Sequence, residues 1–227
     1  MTDAYFFDAL ETRVPAQRES NQFELLVGQL RHAKAKAPQY SELLAGIDPE
    51  AVTDRSALAQ LPVTRKSELS QSQLRDPPFG GYAVSEDGDL LRIFASPGPV
   101  FEPQGRREDF WRFARALHAA GFRRGDLIHN TFSYHFTPAG FMVDSGAHAL
   151  GCTVFAAGTG QTELQVQAIA VLRPRGYIGT PSFLKIILDK AAETGLELSS
   201  LAVGAVSGEA LPNSLRDEIS AAGIEVL

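Results

Sequence analysis

From about residue 89 to the end of this 227-residue chain, short apolar runs of strand character alternate with segments of helical period. That alternation restricts the fold more than any other feature. Leu90 to Ala95, Leu127 to Phe132, Thr153 to Ala157, Gly176 to Gly179 and Leu201 to Val206 read as strands, and Ile224 to Leu227 begins another. Between them lie predicted helices over Glu108 to Ala120, Ala139 to Leu150, Thr162 to Leu172, Ser182 to Glu193 and Pro212 to Ala222. The first of these has Phe110, Phe113, Ala114 and Leu117 on one face, with Gly121 as its stop. Strand and helix in regular turn predict an α/β fold, a mostly parallel sheet flanked by helices. In such sheets ligands bind beyond the carboxyl ends of the strands. The residues just after Ala95, Phe132, Gly179 and Val206 are therefore the candidates for chemistry.

The chain before residue 89 follows a different pattern. Pro15 opens an amphipathic helix with Phe23, Leu26, Leu30, Ala33 and Ala37 on one face, and Pro38 ends it. A looser stretch follows, ending in the loop Arg75-Asp76-Pro77-Pro78-Phe79-Gly80-Gly81. Residues 1–88 are thus expected to form a helical N-terminal segment and residues 89–227 an α/β subdomain.

Charge and composition exclude some classes of function. A net charge of −6 argues against nucleic acid, because neutralising phosphates needs a basic surface. The single cysteine, Cys152, allows no internal disulfide and sits in the apolar stretch Gly151 to Phe155, as a buried inert thiol would. The first eleven residues carry acids and no basic, apolar leader, and no run reaches membrane-spanning length, so the cytoplasm is the expected compartment. Several suggestive pairs have plain readings. Asp144 and His148 stand four apart on a predicted helix, but without a third ligand they read as a hydrogen-bonded pair, not a metal site. His129 and His135 read as satisfied structural histidines, and Arg123-Arg124 as solvated charge. Ser207 lacks the glycine that a nucleophile elbow needs, because Ala205 stands there. The run Phe132, Tyr134, Phe136 reads by its period of two as a buried strand end.

Taken in order, the strand-end segments and several earlier motifs resemble the phenylacetate–CoA ligase family of adenylate-forming enzymes. Phe7-Asp8, Glu11-Thr12-Arg13 and Arg18-Glu19 resemble its opening signature. Leu61-Pro62-Val63-Thr64-Arg65-Lys66-Ser67-Glu68-Leu69 resembles its "LPFTTKxDL" stretch. Asn130 to Gly151 aligns without a gap to a family segment, matching at Asn130, Tyr134, Gly140, Gly146, Ala147, Leu150 and Gly151. Gly160-Gln161-Thr162-Glu163 with Gln165 resembles "GNTERQ", and Ser207-Gly208-Glu209-Ala210-Leu211 resembles the "GAEPW" stretch near the adenine.

The resemblance implies the front part of the adenylate-forming large domain and a two-step reaction. ATP and a carboxylate, typically aromatic, would give an acyl-adenylate and pyrophosphate, and CoA would capture the acyl group. Mg2+ would accompany ATP, and no nucleic acid or membrane is implied. By position, Ser96 and Gly98 would lie in the phosphate loop, with Glu102 where the family has lysine. Tyr134, Phe136, Ala139 and Gly140 would line the acyl pocket, and Ser207, Gly208, Glu209 and Ala210 would border the nucleotide. The catalytic residues are not identified among these positions.

Two departures bear on activity. The family loop, close to "ASSGTTGKPT", cradles phosphates with backbone N–H groups, hydroxyls and a lysine. Here Pro97 and Pro99 each remove a donor, Val100 and Phe101 replace small residues, and Glu102 brings a negative charge. Such a loop is not expected to hold ATP in the family's way. The family's metal-holding glutamate and catalytic lysine fall after the strand begun at Ile224, so the subdomain reads as truncated relative to the family. The sequence therefore suggests either an incomplete ligase, inactive alone, or a non-catalytic descendant that binds an acyl group or a partner protein. An open sheet edge would favour a homodimer or poor solubility, and a missing C-terminal portion supplied by a separate chain would restore catalysis only if it also brought phosphate-binding groups.

Overall fold

The computed structural model describes residues 5–84 and 87–227. They divide between Arg106 and Arg107 into two compact units.

In the first unit, α1 (Pro15–Lys36) starts on a proline at its first turn and stops at Ala37, which is held extended by the proline that follows it. That Pro38 opens α2 (Pro38–Leu43). Leu30, Leu44 and Val52 form the small core between these helices, with Leu26, Tyr40, Ile47, Ala57 and Leu61 packed against it. The short α3 (Arg55–Leu58) is capped by Asp54, whose carboxylate accepts the Ala57 N–H at 2.8 Å. After α4 (Lys66–Arg75), the strands β1 (Leu90–Ser96) and β2 (Val100–Gly105) form an antiparallel hairpin in which Ser96 faces Val100.

The hairpin corrects the sequence reading. The run beginning at Leu90 is a strand, but it belongs to a separate two-stranded sheet and not to the parallel one. Its tie to the helices is a buried amide: Gln73 of α4 donates to the Phe101 carbonyl and accepts the Phe101 N–H, both at 2.8 Å. The compact units accordingly divide after Arg106, later than the change of pattern at residue 88.

The second unit holds α5 (Ala114–Ala119), β3 (Leu127–Asn130), α6 (Ala139–Leu150), β4 (Thr153–Ala156), α7 (Thr162–Leu172), β5 (Gly176–Gly179), α8 (Pro181–Thr194), β6 (Val203–Val206), α9 (Asn213–Ala221) and β7 (Glu225–Val226). The helix expected from Glu108 begins only at Ala114. Asp109 and Arg112 have φ of 43° and 57°, which breaks the right-handed path. The Asp109 carboxylate then caps the late start by accepting the N–H of Phe113 at 2.8 Å and of Ala114 at 3.2 Å.

The sheet is five-stranded and parallel, in the order β4-β3-β5-β6-β7. Successive residues of a strand point to opposite faces, so Tyr177 and Ile178 of β5 enter different cores. Tyr177 packs with Val166 and Ile169 of α7, Leu184 and Ile187 of α8, and Ile219 of α9. Ile178 packs with Leu117 of α5, Val143 and Ala147 of α6, and Phe122 and Ile128. Helices therefore cover both faces, and all four residues of β5 are buried, as a central parallel strand requires. Cys152 lies in the second of these cores, its Sγ donating to the Arg123 carbonyl at 3.2 Å, and burial raises its thiol pKa.

Candidate functional site

Strand order locates the crevice in the second unit. From β3 the chain crosses to β4 on one side, then returns to place β5 on the other. The carboxyl ends of β3 and β5 thus flank a topological switch point, where ligands bind in open α/β sheets.

A buried chain of hydroxyls closes that point. Thr131 Oγ1 donates to Tyr177 Oη at 2.9 Å, and Tyr177 Oη donates to the Thr180 carbonyl at 3.1 Å. Burial pushes the Tyr177 phenol well above its ordinary pKa, so it stays a neutral donor. Gly179 is required here, because any Cβ would collide with Thr131 Oγ1 and Tyr177 Oη.

Next to it, Asn130 organises the loop after β3. Its Nδ2 donates to Tyr134 Oη at 2.8 Å and to the Gly140 carbonyl at 3.1 Å, while its Oδ1 accepts the Phe132 N–H at 3.1 Å. Tyr134 Oη in turn donates to Asp144 Oδ1 at 2.7 Å, and burial together with that carboxylate raises the phenol's pKa. A side chain at Gly140 would press on the Ser133 carbonyl at 2.7 Å. Of the expected acyl-pocket residues, Tyr134 and Gly140 therefore meet on Asn130, and Ala139 adjoins them at the start of α6. Phe136 does not join them: it is 81% exposed at φ 59°, and β3 has already ended at Asn130. The period-two run of aromatics is a loop and not a strand end. Asp144 is the partner of Tyr134 and not of His148, which corrects the hydrogen-bonded pair expected from their spacing.

The expected nucleotide edge follows β6. The Ser207 N–H donates to the Gly179 carbonyl at 3.1 Å, and Gly208 turns at φ 88°. Glu209 Oε1 accepts the Ser182 N–H at 2.7 Å at the start of α8, beside the cap in which Thr180 Oγ1 accepts the Phe183 N–H at 3.3 Å. Hydrogen bonds from Ser182 hold the exposed Glu209 carboxyl below its ordinary pKa. Glu209 thus serves as an anionic cap on a helix N-terminus. Ala210 is exposed beside it.

The sequence reads His129 as a satisfied structural histidine and Gln165 only as part of a motif; the structure joins them to support the loop after β4 and leaves one His129 ring nitrogen unsatisfied. Gln165 Nε2 donates to the carbonyls of Gly158 and Gly160, both at 2.8 Å, and its Oε1 accepts from His129 Nε2 at 2.7 Å. The His129 ring is fully buried and stacks on Phe155, with Nδ1 lacking a partner. Burial lowers its pKa, and the Gln165 bond only partly opposes this. The motif containing Gln165 was the one sequence signal that could have pointed to this strut.

The phosphate-loop positions lie in the first unit, at the hairpin tip. Pro97, Gly98 and Pro99 are exposed. Ser96 Oγ donates to Glu102 Oε1 at 2.7 Å and accepts from Lys66 Nζ at 3.3 Å. Ser70 Oγ donates to the Pro99 carbonyl at 3.4 Å, and the Phe101 N–H is taken by Gln73. The tip is tied to side chains of α4 and to its own Glu102.

Among the described residues no group of three or more His, Cys, Asp and Glu could hold a metal ion. These residues therefore do not by themselves fit the Mg2+ that the family resemblance implies. None of the described helices is long and apolar enough to cross a membrane.

No protein-family model matches the chain. It is 32% identical to the phenylacetate-coenzyme A ligase of Aromatoleum evansii, over 91% of this chain and 48% of that enzyme. The enzymes of that name from Pseudomonas putida and Escherichia coli strain K12 are 31% and 32% identical, over 51% and 50% of their lengths. Among solved structures, an open conformation of 2-hydroxyisobutyryl-CoA ligase in complex with 2-HIB-AMP and CoA superposes with a TM-score of 0.92 at 26% identity. That match covers 99% of this chain and 52% of the ligase. The same ligase in its thioesterification state gives 0.90. The chain spans about half the length of the curated relatives it matches.

Proposed function

We propose that this chain, which belongs to the phenylacetate–coenzyme A ligase family and spans about half the length of its curated members, carries the acyl- and adenine-facing part of an AMP-forming acyl-CoA ligase without a working phosphate loop. In the complete reaction a carboxylate and ATP give an acyl-adenylate and pyrophosphate, and CoA then gives the acyl-CoA and AMP. On this reading the Asn130, Tyr134 and Gly140 cluster frames the carboxylate, with Ala139 beside it. Ser207 to Ala210 frame the adenine, and Glu209 keeps their turn in place from the end of α8.

The observation that carries the negative half is the hairpin tip. Pro97 and Pro99 offer no N–H, the Phe101 N–H is bound to Gln73, and the Ser96 hydroxyl is bound to a carboxylate. A triphosphate would meet a charge of its own sign at Glu102. The chain alone is therefore expected not to adenylate a carboxylate.

Calorimetric titration of the whole chain tests this, with ATP–magnesium in one series and aryl and acyl carboxylates and CoA in others. The expected result is no heat from ATP, with carboxylate or CoA binding retained. Micromolar ATP binding, or carboxylate-dependent exchange of pyrophosphate into ATP, would overturn the reading. The tip also favours a second reading, a non-catalytic acyl-binding protein. Acyl-CoA binding equal to that of free carboxylate plus CoA, with no turnover on adding a complete ligase's missing half, would select it.

A further inference from the structure

The side-chain hydrogens of the loop cluster after β3 are all accounted for. Asn130 Nδ2 donates one to Tyr134 Oη at 2.8 Å and the other to the Gly140 carbonyl at 3.1 Å. Tyr134 donates its own to Asp144 Oδ1 at 2.7 Å, and burial keeps that proton on the phenol. The three side chains therefore form a one-way relay, from amide to phenol to carboxylate, with no donor left over. What remains free is an acceptor. Among the described residues Asp144 Oδ2 has no hydrogen-bond or ion-pair partner. Asp144 is half-buried, one helical turn beyond Gly140 on the same side of α6, while Val143 and Ala147 carry the side packed in the core.

A ligand that reaches this cluster must bring the hydrogen itself. A carboxylate there would set a second negative charge beside Asp144, and an ether or a halogen would leave Oδ2 without a partner. We propose that Asp144 is a specificity-determining residue, and that the carboxylic acid bound by this chain carries a hydroxyl or amino group at the end remote from its carboxyl group. That group donates to Asp144 Oδ2, and the carboxyl group lies away from the relay. Tyr134 is a positioning residue: its hydrogen holds Oδ1 and leaves Oδ2 to the ligand. This substrate class rests on the reading of the Asn130, Tyr134 and Gly140 cluster as the acyl site, and narrows it.

The test is calorimetric titration of the whole chain with matched aryl carboxylates: phenylacetate, its ring-hydroxylated and ring-aminated derivatives, and the fluoro and methoxy compounds of the same series. In the native chain at least one hydroxylated or aminated derivative should bind about tenfold more tightly than phenylacetate, the scale of a hydrogen bond to a charged group. Its fluoro and methoxy counterparts should bind no better than phenylacetate. Asp144→Asn keeps the shape and can still accept from Tyr134, but it turns an N–H to the ligand in place of Oδ2, and the ratio should fall to within about twofold. Because the readout is a ratio within each chain, a general loss of binding or stability does not move it. A native chain that prefers no donor-bearing derivative, or a ratio that survives Asp144→Asn, overturns the proposal. Should Asp144→Asn fail to fold, Asp144→Ala is expected to abolish the same ratio and decides the question. If no aryl carboxylate binds the native chain, the proposed function loses its acyl half and this substrate class falls with it. Phenylacetate binding without preference refutes the substrate class alone.

Discussion

The hairpin tip of the first unit and the carboxyl edge of the sheet in the second stand in different relation to the family pattern. At the sheet edge the residues that match it also hold the fold: Asn130 joins Tyr134, Gly140 and Phe132, and Glu209 caps α8. At the tip, Pro97, Gly98 and Pro99 are exposed and carry none of the core. Side chains that serve packing and hydrogen bonding as well as a ligand have little freedom to differ. Side chains that serve only a ligand can be replaced without cost to stability. The departures at Pro97 and Pro99 fall where the second condition holds, whereas Val100, which also departs from the pattern, is buried.

Substitutions can break or sharpen that contrast. The largest effect is expected from Gly179→Ala, because its methyl group meets Thr131 and Tyr177 in a region with no room to yield. We expect a loss of about 3 kcal/mol in urea unfolding, the scale of overpacking in a close-packed core. A change below about 1 kcal/mol would mean that the sheet edge is as tolerant as the tip.

A smaller effect should appear as a pH dependence traced to His129. Its folded-state pKa lies below the ordinary 6.5, so the unfolded chain binds the proton more readily. Its contribution to stability is complete above pH 6.5 and is lost as pH falls below that value toward the folded pKa. The slope is at most about 1.4 kcal/mol per pH unit. Unfolding measured from pH 8 to pH 5 should show this slope in the native chain and a shallower one in His129→Gln. Identical slopes would show that the buried ring is not the group responsible.

The smallest effect is expected at the tip. Pro97→Ala should move stability by less than about 1 kcal/mol, mostly through the entropy of the unfolded chain. A larger loss in thermal unfolding would show that the tip holds the hairpin together and would remove the contrast.

Much of the second unit was legible because its signal is local. The bounds of α6, α7 and β5 coincide with the ranges read from apolar period and from the flanking glycines and prolines. The pattern failed where one residue's backbone or a distant partner decided the outcome. The apolar face of Phe110 and Phe113 suggests a helix from Glu108, yet positive φ at Asp109 and Arg112 delays it. Leu90 to Ala95 has the composition of any strand, and nothing local says that its partner is a hairpin arm and not a parallel neighbour. Within the candidate site, the motifs located Tyr134, Gly140 and Glu209, but periodicity could not tell that Phe136 turns to solvent. The roles of Lys66, Gln73 and Gln165 were invisible for a plainer reason. Each acts on a backbone or hydroxyl group that only tertiary structure brings within reach, as with the 28 residues between Gln73 and Phe101.

The sheet order carries a kinetic consequence. The hairpin closes over a short distance along the chain, with Ser96 and Glu102 only 6 residues apart, whereas Thr131 and Tyr177 at the switch point are 46 apart. Parallel neighbours meet only after a whole helical crossover has been ordered, so their chain entropy is lost before any contact is gained. Hairpins form in about 1–10 μs, and domains built on non-local pairing take milliseconds or longer. The arm that bears the divergent loop is thus the early-forming element, and the crevice between β3 and β5 is among the last features of the chain to acquire its shape.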